Sequence, residues 1–228
     1  MRISKKNRTF AASKDAAFVL LTLIITIMRK IYCILALLFF SLTVLAKGAG
    51  IPAEVLQAGK VNYDKSTNTL VLEDGFRYSL GKGLVVFETG KDLHILLKGD
   101  AEFRAALVFK DRVIVDSEGD VTLSMTSNIS GSALQCPALV VNKGAKLELL
   151  SRNSQEGMYA ISCPDITVNG GTLLADVTTA FLAIETSHLN LNGSWMEKPK
   201  GGIVDAEKRC VCFGDGTPAK RVRITPEK

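Results

Sequence analysis

The segment Val113-Ile114-Val115-Asp116-Ser117-Glu118-Gly119-Asp120-Val121-Thr122-Leu123 holds two apolar-x-apolar runs, Val113/Val115 and Val121/Leu123, separated by a polar stretch containing glycine. In an extended chain successive side chains point to opposite sides, so each run turns its two apolar residues to one side. Asp, Ser and Gly between them supply the local hydrogen bonds and backbone freedom that a turn needs. The segment reads as strand, turn, strand with one buried face.

The same unit recurs from Val61 onward. One series runs Leu70/Leu72, Ile95/Leu97, Val121/Leu123, Leu147/Leu149, Ile166/Val168 and Leu189/Leu191, in steps of 25, 26, 26, 19 and 23 residues, with Val222/Ile224 as a last member after a longer insertion. A second series precedes it in most repeats: Val85/Phe87, Val113/Val115, Leu139/Val141, Leu182/Ile184 and Val211/Phe213. Turn residues such as Gly90-Lys91-Asp92, Asn142-Lys143-Gly144 and Gly214-Asp215-Gly216 lie between the two. No amphipathic helical pattern follows residue 60. A unit of this length cannot bury its apolar side alone, so repetition at this period points to a solenoid. Two short strands per repeat and no helix predict an all-β parallel β-helix of about six irregular coils. With strands about 4.8 Å apart, such a rod is roughly 25 to 30 Å long. The rival arrangement is a β-sandwich of antiparallel hairpins, since the turns are short enough for hairpins. The steady recurrence of the same strand pair favours the solenoid.

The chain carries 28 Lys and Arg against 23 Asp and Glu, a formal charge of +5. Seven of the bases (Arg2, Lys5, Lys6, Arg8, Lys14, Arg29 and Lys30) precede residue 47, with Asp15 the one acid there. The remaining 182 residues are near −1. No basic stripe is left for nucleic acid, and the short cluster Lys220, Arg221, Arg223 reads as a solvated strand face. Met28-Arg29-Lys30 followed by apolar Ile31 to Ala46 has the order of a secretory signal, with Val44-Leu45-Ala46 fitting a small-x-small cleavage site. Its apolar run is short of the ~20 residues of a membrane-spanning helix. Residues 1–46 therefore read as a leader whose true start is Met28, residues 47–60 as a linker, and residues 61–228 as the β-helix domain. The reading places the protein outside the cytoplasm: secreted, periplasmic or at the cell surface, touching the membrane only through its leader.

Three stretches carry a family resemblance. Asn62-Tyr63-Asp64-Lys65-Ser66-Thr67-Asn68-Thr69-Leu70-Val71-Leu72 is similar to the opening motif of exported bacterial right-handed β-helix proteins often labelled carbohydrate-binding domain-containing proteins. Ile166-Thr167-Val168-Asn169-Gly170-Gly171-Thr172-Leu173 resembles their internal repeat, and Ala219-Lys220-Arg221-Val222-Arg223-Ile224-Thr225-Pro226 their last strand. The resemblance spans about residues 61–226. It implies a right-handed β-helix at the cell envelope with glycan contact, and brings no catalytic residue with it. Asn192-Gly193-Ser194-Trp195 departs from the Val-Asn-Gly-Gly form, and Met196 to Arg209 exceeds a normal connection, so the last coils are expected to be irregular.

Chemistry on such a fold comes from clustered carboxylates in polysaccharide lyases and hydrolases. Here Asp74, Asp100, Asp116, Asp120, Asp165, Asp205 and Asp215 are dispersed beside glycines and strand ends, where Asp satisfies turns. Stacking could still bring Asp116 to Asp92 or Glu118. No Ser, Cys or His set resembles a nucleophilic site, and His94 and His188 are isolated from any zinc-like cysteine spacing. No enzyme, cofactor or metal is expected. After the leader, Cys136, Cys163, Cys210 and Cys212 read as small buried strand residues rather than a disulfide framework. Cys136 and Cys163 each precede a proline, which marks a turn. Cys210 and Cys212 should face the same side of one strand without bonding to each other. Asn142, Asn169 and Asn192 share an apolar-Asn context and could stack as a ladder, but the first series puts Asn142 and Asn169 on different faces.

Glycan recognition needs an aromatic face beside hydrogen-bonding groups. Trp195, with Asn192, Glu197 and Lys198 nearby, is the candidate ligand-binding group, and Tyr63, Tyr78 and Tyr159 are further aromatics. The burial habit of Trp favours the alternative, a plug over the end of the solenoid core. The functional expectation is an exported cell-envelope β-solenoid with a binding, adhesion or structural role toward polysaccharide or a cell-surface partner. The alternative is a polysaccharide lyase or hydrolase on the same fold. The leader gives the first test: intact mass of exported material should begin near Lys47, and a retained apolar segment would mean an anchor instead.

Overall fold

The structure is a computed structural model and describes residues 50–128, 131–152, 159–178 and 182–227, with only the backbone of Gly81 and Lys82. The expected signal segment lies outside these residues. Three columns of short parallel strands stack into a β-solenoid of about five turns. The first face stacks β2 (Thr69–Leu72), β4 (Leu93–Leu97), β6 (Val113–Ser117), β9 (Ala138–Asn142), β12 (Asp165–Asn169) and β15 (His188–Asn192), with β1 (Val61–Asp64) antiparallel on the outside of β2. The second face stacks the first halves of β3 (Phe76–Phe87) and β5 (Ala101–Phe109), then β7 (Val121–Ser127), β10 (Ala145–Ser151) and β13 (Thr172–Val177). The third stacks the second halves of β3 and β5, then β8 (Leu134–Gln135), β11 (Ile161–Ser162) and β14 (Ile184–Glu185). The β-sandwich alternative is excluded by this parallel pairing.

Each coil thus holds three strands, where the sequence pattern reads two. The reason lies in register. On the first face Leu70, Ile95, Val115, Val141, Val168 and Leu191 follow one another in partnered positions. Val121/Leu123 and Leu147/Leu149 belong to the second face, where Leu123 partners Leu147 and Leu147 partners Leu173. Apolar-x-apolar runs look alike whichever face they occupy, so the one-dimensional pattern merged two columns.

Inward alternation follows the sequence closely. Leu93, Ile95 and Leu97 are buried in β4 while His94 and Leu96 are not, and β10 and β13 alternate in the same way. Aromatics fill the early coils. Phe87 stacks on its register partner Phe109 with ring centroids 4.4 Å apart, and Phe103 contacts Phe76 at 5.0 Å. Later coils are filled by Leu, Ile, Val, Ala and Cys. The corner between the first and second faces depends on glycine at Gly144, whose φ is +86° and where a Cβ would lie 2.7 Å from the Gly119 carbonyl of the preceding coil.

Both ends are closed. The stretch expected as a linker carries one helical turn, α1 (Ala53–Leu56), whose Val55 is buried in the core. At the other end a sixth coil begins with β15 but does not close. The chain runs outward as β16 (Ser194–Lys198) and β17 (Ile203–Asp205), then returns as β18 (Cys210–Cys212) and β19 (Arg221–Pro226). The return slots antiparallel between the outgoing strands and the stack: β19 lies between β16 and β13, and β18 between β17 and β14. This out-and-back layer accounts for the long Met196 to Arg209 connection. Val222 and Ile224 of β19 still point into the core.

Phe103 is fully buried among Phe76, Tyr78 and Phe87. Phe103→Ala should lower the unfolding free energy by about 3–5 kcal/mol in urea titration. Asn190→Ala, on the exposed side of β15, should change it by less than about 0.5 kcal/mol. Equal losses would contradict the inward–outward assignment.

Candidate functional site

The corner where the first face meets the second carries an ordered column of polar side chains. Each comes from the last residues of a first-face strand, just before the chain turns. Asn142, Asn169 and Asn192 occupy partnered positions on β9, β12 and β15. Asn192 Nδ2 donates to Asn169 Oδ1 at 2.9 Å, Asn169 Nδ2 to Asn142 Oδ1 at 3.0 Å, and Asn142 Nδ2 to Asp116 Oδ1 at 2.6 Å. The other Asp116 oxygen faces His94 Nδ1 at 3.5 Å. The ladder that the sequence register spoke against is therefore formed, because Asn142 sits on the first face after all. Every link points the same way and ends on a carboxylate, so the amides polarise one another along the column. Asn142 and Asn169 each spend one N–H and the oxygen on the ladder and Asn192 spends one N–H, so each amide keeps a second N–H outside it. These residues are half-buried at Asp116, Asn142 and Asn169 and exposed at Asn192.

The three sequence candidates cluster at the open end of this column. Asn192 is its last member. Three residues on, past Gly193, Trp195 of β16 pairs with Thr225 and is 41% exposed. It is no plug: Met196 turns inward to pack on the core instead. Glu197 Oε2 accepts from Arg223 Nε at 2.9 Å, and Lys198 borders a depression of about 200 Å³ with Asp176, Arg221 and Arg223. A second depression, about 250 Å³, runs along the corner between Asp120, Thr122, Lys143, Lys146, Thr172 and Pro226. Both are half-open, with charged or hydroxyl side chains around a lining that is mostly apolar. Of the other aromatics, Tyr78 is buried and Tyr63 packs against the core.

The dispersed acids serve the fold. Asp100 Oδ1 accepts from the Thr122 amide at 2.8 Å, and Asp74 Oδ1 from the Asp100 amide at 3.2 Å. The Lys208 backbone amide holds the Asp205 carboxyl below its ordinary range, and the Thr217 amide does the same for Asp215. Asp116 is not joined to Asp92 or Glu118: Asp92 faces Arg112 at 3.7 Å and Glu118 faces Lys98 at 4.0 Å. Exposed Asp165 pairs with His188 Nδ1 at 2.8 Å. Among the described residues no three His, Cys, Asp or Glu side chains converge as a metal site.

Comparison with known proteins returns no matching family model, curated protein or solved structure.

The ladder also contributes to stability. Asn169→Ala interrupts it between two partners, whereas Asn192→Ala removes only its exposed end. The first should cost about 1 kcal/mol and the second clearly less, read by urea denaturation. Indistinguishable values would mean the amide column carries no coupled energy.

Proposed function

We propose that this chain is an exported β-solenoid of the cell envelope that binds an extended polymer, with glycan the chemistry its surface fits best. One observation carries the reading: a hydrogen-bonded asparagine column with one amide per coil over three coils ends three residues before an exposed tryptophan. The coils rise by about 4.8 Å, so the donors repeat on the length scale of a chain of small rigid units. Hydroxyl-rich units accept from such amides, and an indole face packs against the apolar side of a sugar ring. Thr122, Lys146 and Thr172 beside the corner add hydroxyl and ammonium donors. A shallow, extended surface of this kind suits many weak contacts rather than enclosure of a small substrate. The export signal read at Met28 to Ala46 and the resemblance to exported β-helix proteins support the same placement.

A glycan-binding screen, paired with a depolymerisation assay on every hit, tests the proposal. Binding without turnover is expected, with or without calcium. Trp195→Ala should weaken binding at least tenfold and leave the circular dichroism spectrum and melting temperature near those of the parent. Calcium-dependent release of unsaturated sugar products would replace the binding role with a lyase.

A further inference from the structure

Cys136 and Cys163 follow β8 and β11 directly, one residue past the partnered pair Gln135 and Ser162. They are therefore in-register neighbours on adjacent coils, both at the turn before a proline. Their Sγ atoms lie 3.4 Å apart and both residues are buried, Cys136 at 3% exposure and Cys163 at 0%. Cys136 Sγ–H donates to Cys163 Sγ, and Cys163 Sγ–H donates to the Asp165 carbonyl at 3.2 Å. The spacing of adjacent strands, about 4.8 Å, falls inside the roughly 4.4–6.8 Å that a disulfide requires between Cα atoms. Cys136 also lines a surface groove of about 320 Å³ bordered by Lys110, Gln135, Pro137, Ser162 and Arg209. Cys136 is thus the member of the pair that lines the groove, and Cys163 is not.

We propose that Cys136 and Cys163 form an oxidisable pair that closes into an intercoil disulfide by exchange with a small-molecule disulfide of the glutathione type. The Cys136 thiolate attacks one sulfur of the donor, forming a mixed disulfide and releasing one donor thiol. The Cys163 thiolate then attacks Cys136 Sγ and releases the second donor thiol. The two cysteine protons leave with the two thiols, so the protein loses two electrons and the donor gains them. The hydrogen bond from Cys136 to Cys163, together with burial, raises the Cys136 thiol well above its ordinary range. The exchange should therefore quicken as the pH is raised above neutral, where more thiolate is present.

The other pair behaves differently. Cys210 and Cys212 bring their sulfurs to 3.3 Å, but they sit two apart on one strand, with Cα atoms about 6.5 Å apart at the far limit for a bond. Burial, then the hydrogen bond with Cys212, pushes the Cys210 thiol up to about 12. This pair should stay reduced under the same treatment. The inference stands independently of glycan binding.

Peptide mapping tests it on the purified full chain after incubation with oxidised glutathione, followed by alkylation and trypsin. Cys136 falls in the peptide 113–143, Cys163 in 153–200, and Cys210 with Cys212 in 210–220. The expected product is 113–143 joined to 153–200, released by dithiothreitol, with 210–220 doubly alkylated. The oxidised protein should melt about 5 to 10 °C higher, as expected for closing a loop of this length. Recovery of both peptides singly and alkylated would overturn the proposal. So would a glutathione adduct that persists on Cys136, or a bond confined to Cys210 and Cys212.

Discussion

Every coil hydrogen-bonds to the next through parallel strands held in register, so the neighbours of a residue are the residues at the same height in the coils on either side. The consequences run through the whole molecule. Leu93 meets Val113, Phe87 meets Phe109, Asn142 meets Asn169, and Cys136 meets Cys163. Inward positions become largely apolar columns, with a few buried polar side chains such as Ser127 and Ser151 at the ends of second-face strands. Outward positions become columns too, and any side chain repeated at the right interval gains a partner above and below. A buried aromatic column and a surface amide column are the same constraint expressed on the inside and the outside of the stack.

A stack of this kind has ends that a closed barrel lacks, and an uncovered end exposes both core and strand edge. Val55 of α1 serves the first end. At the other, the chain builds a layer out of β16 to β19, whose antiparallel return breaks the pattern that a further coil would extend. Because β19 supplies Val222 and Ile224 to the core, β16 is displaced outward by one strand position. That displacement is what leaves Trp195 on the surface beside the last asparagine of the corner column. The end closure and the candidate binding site are thus one piece of architecture.

Asp116, Asn142 and Asn169 stand on strands paired on both sides, Asn192 on the edge strand β15 and Trp195 on β16 at the edge of the closing layer. The corner column offers donors at fixed spacing, while the adjacent second face holds its charges in pairs, Arg221 with Asp176, Arg223 with Glu197 and Lys146 with Glu148. Paired charges give little long-range field, so recognition there rests on contact geometry. The cysteine pair lies away from this surface, at the corner between the third and first faces, where it ties two coils rather than meeting a ligand.

The sequence by itself determined that the domain is all-β, that it is built by repetition, and most of the residues that point inward, although Phe213, read as inward with Val211, is 45% exposed. These are local properties: alternation within four or five residues, and Gly, Asp or Asn where the chain turns. It also marked Asn192, Trp195 and Glu197 as neighbours, because they lie within six positions. Tertiary structure alone decided which runs share a face. Connections between strands differ in length, so the coil repeat is uneven, and Val121/Leu123 was indistinguishable from a first-face strand until its partners were seen. With the faces confused, Asn142 and Asn169 appeared on different sides, and Asp116 gave no sign of ending their column, nor His94 of reaching it from two positions away. The exposure of Trp195 was equally out of reach, since it follows from β19 returning from thirty residues further along to take the place beside the core. Local chemistry writes each strand, but only the stacking of coils assigns that strand its neighbours.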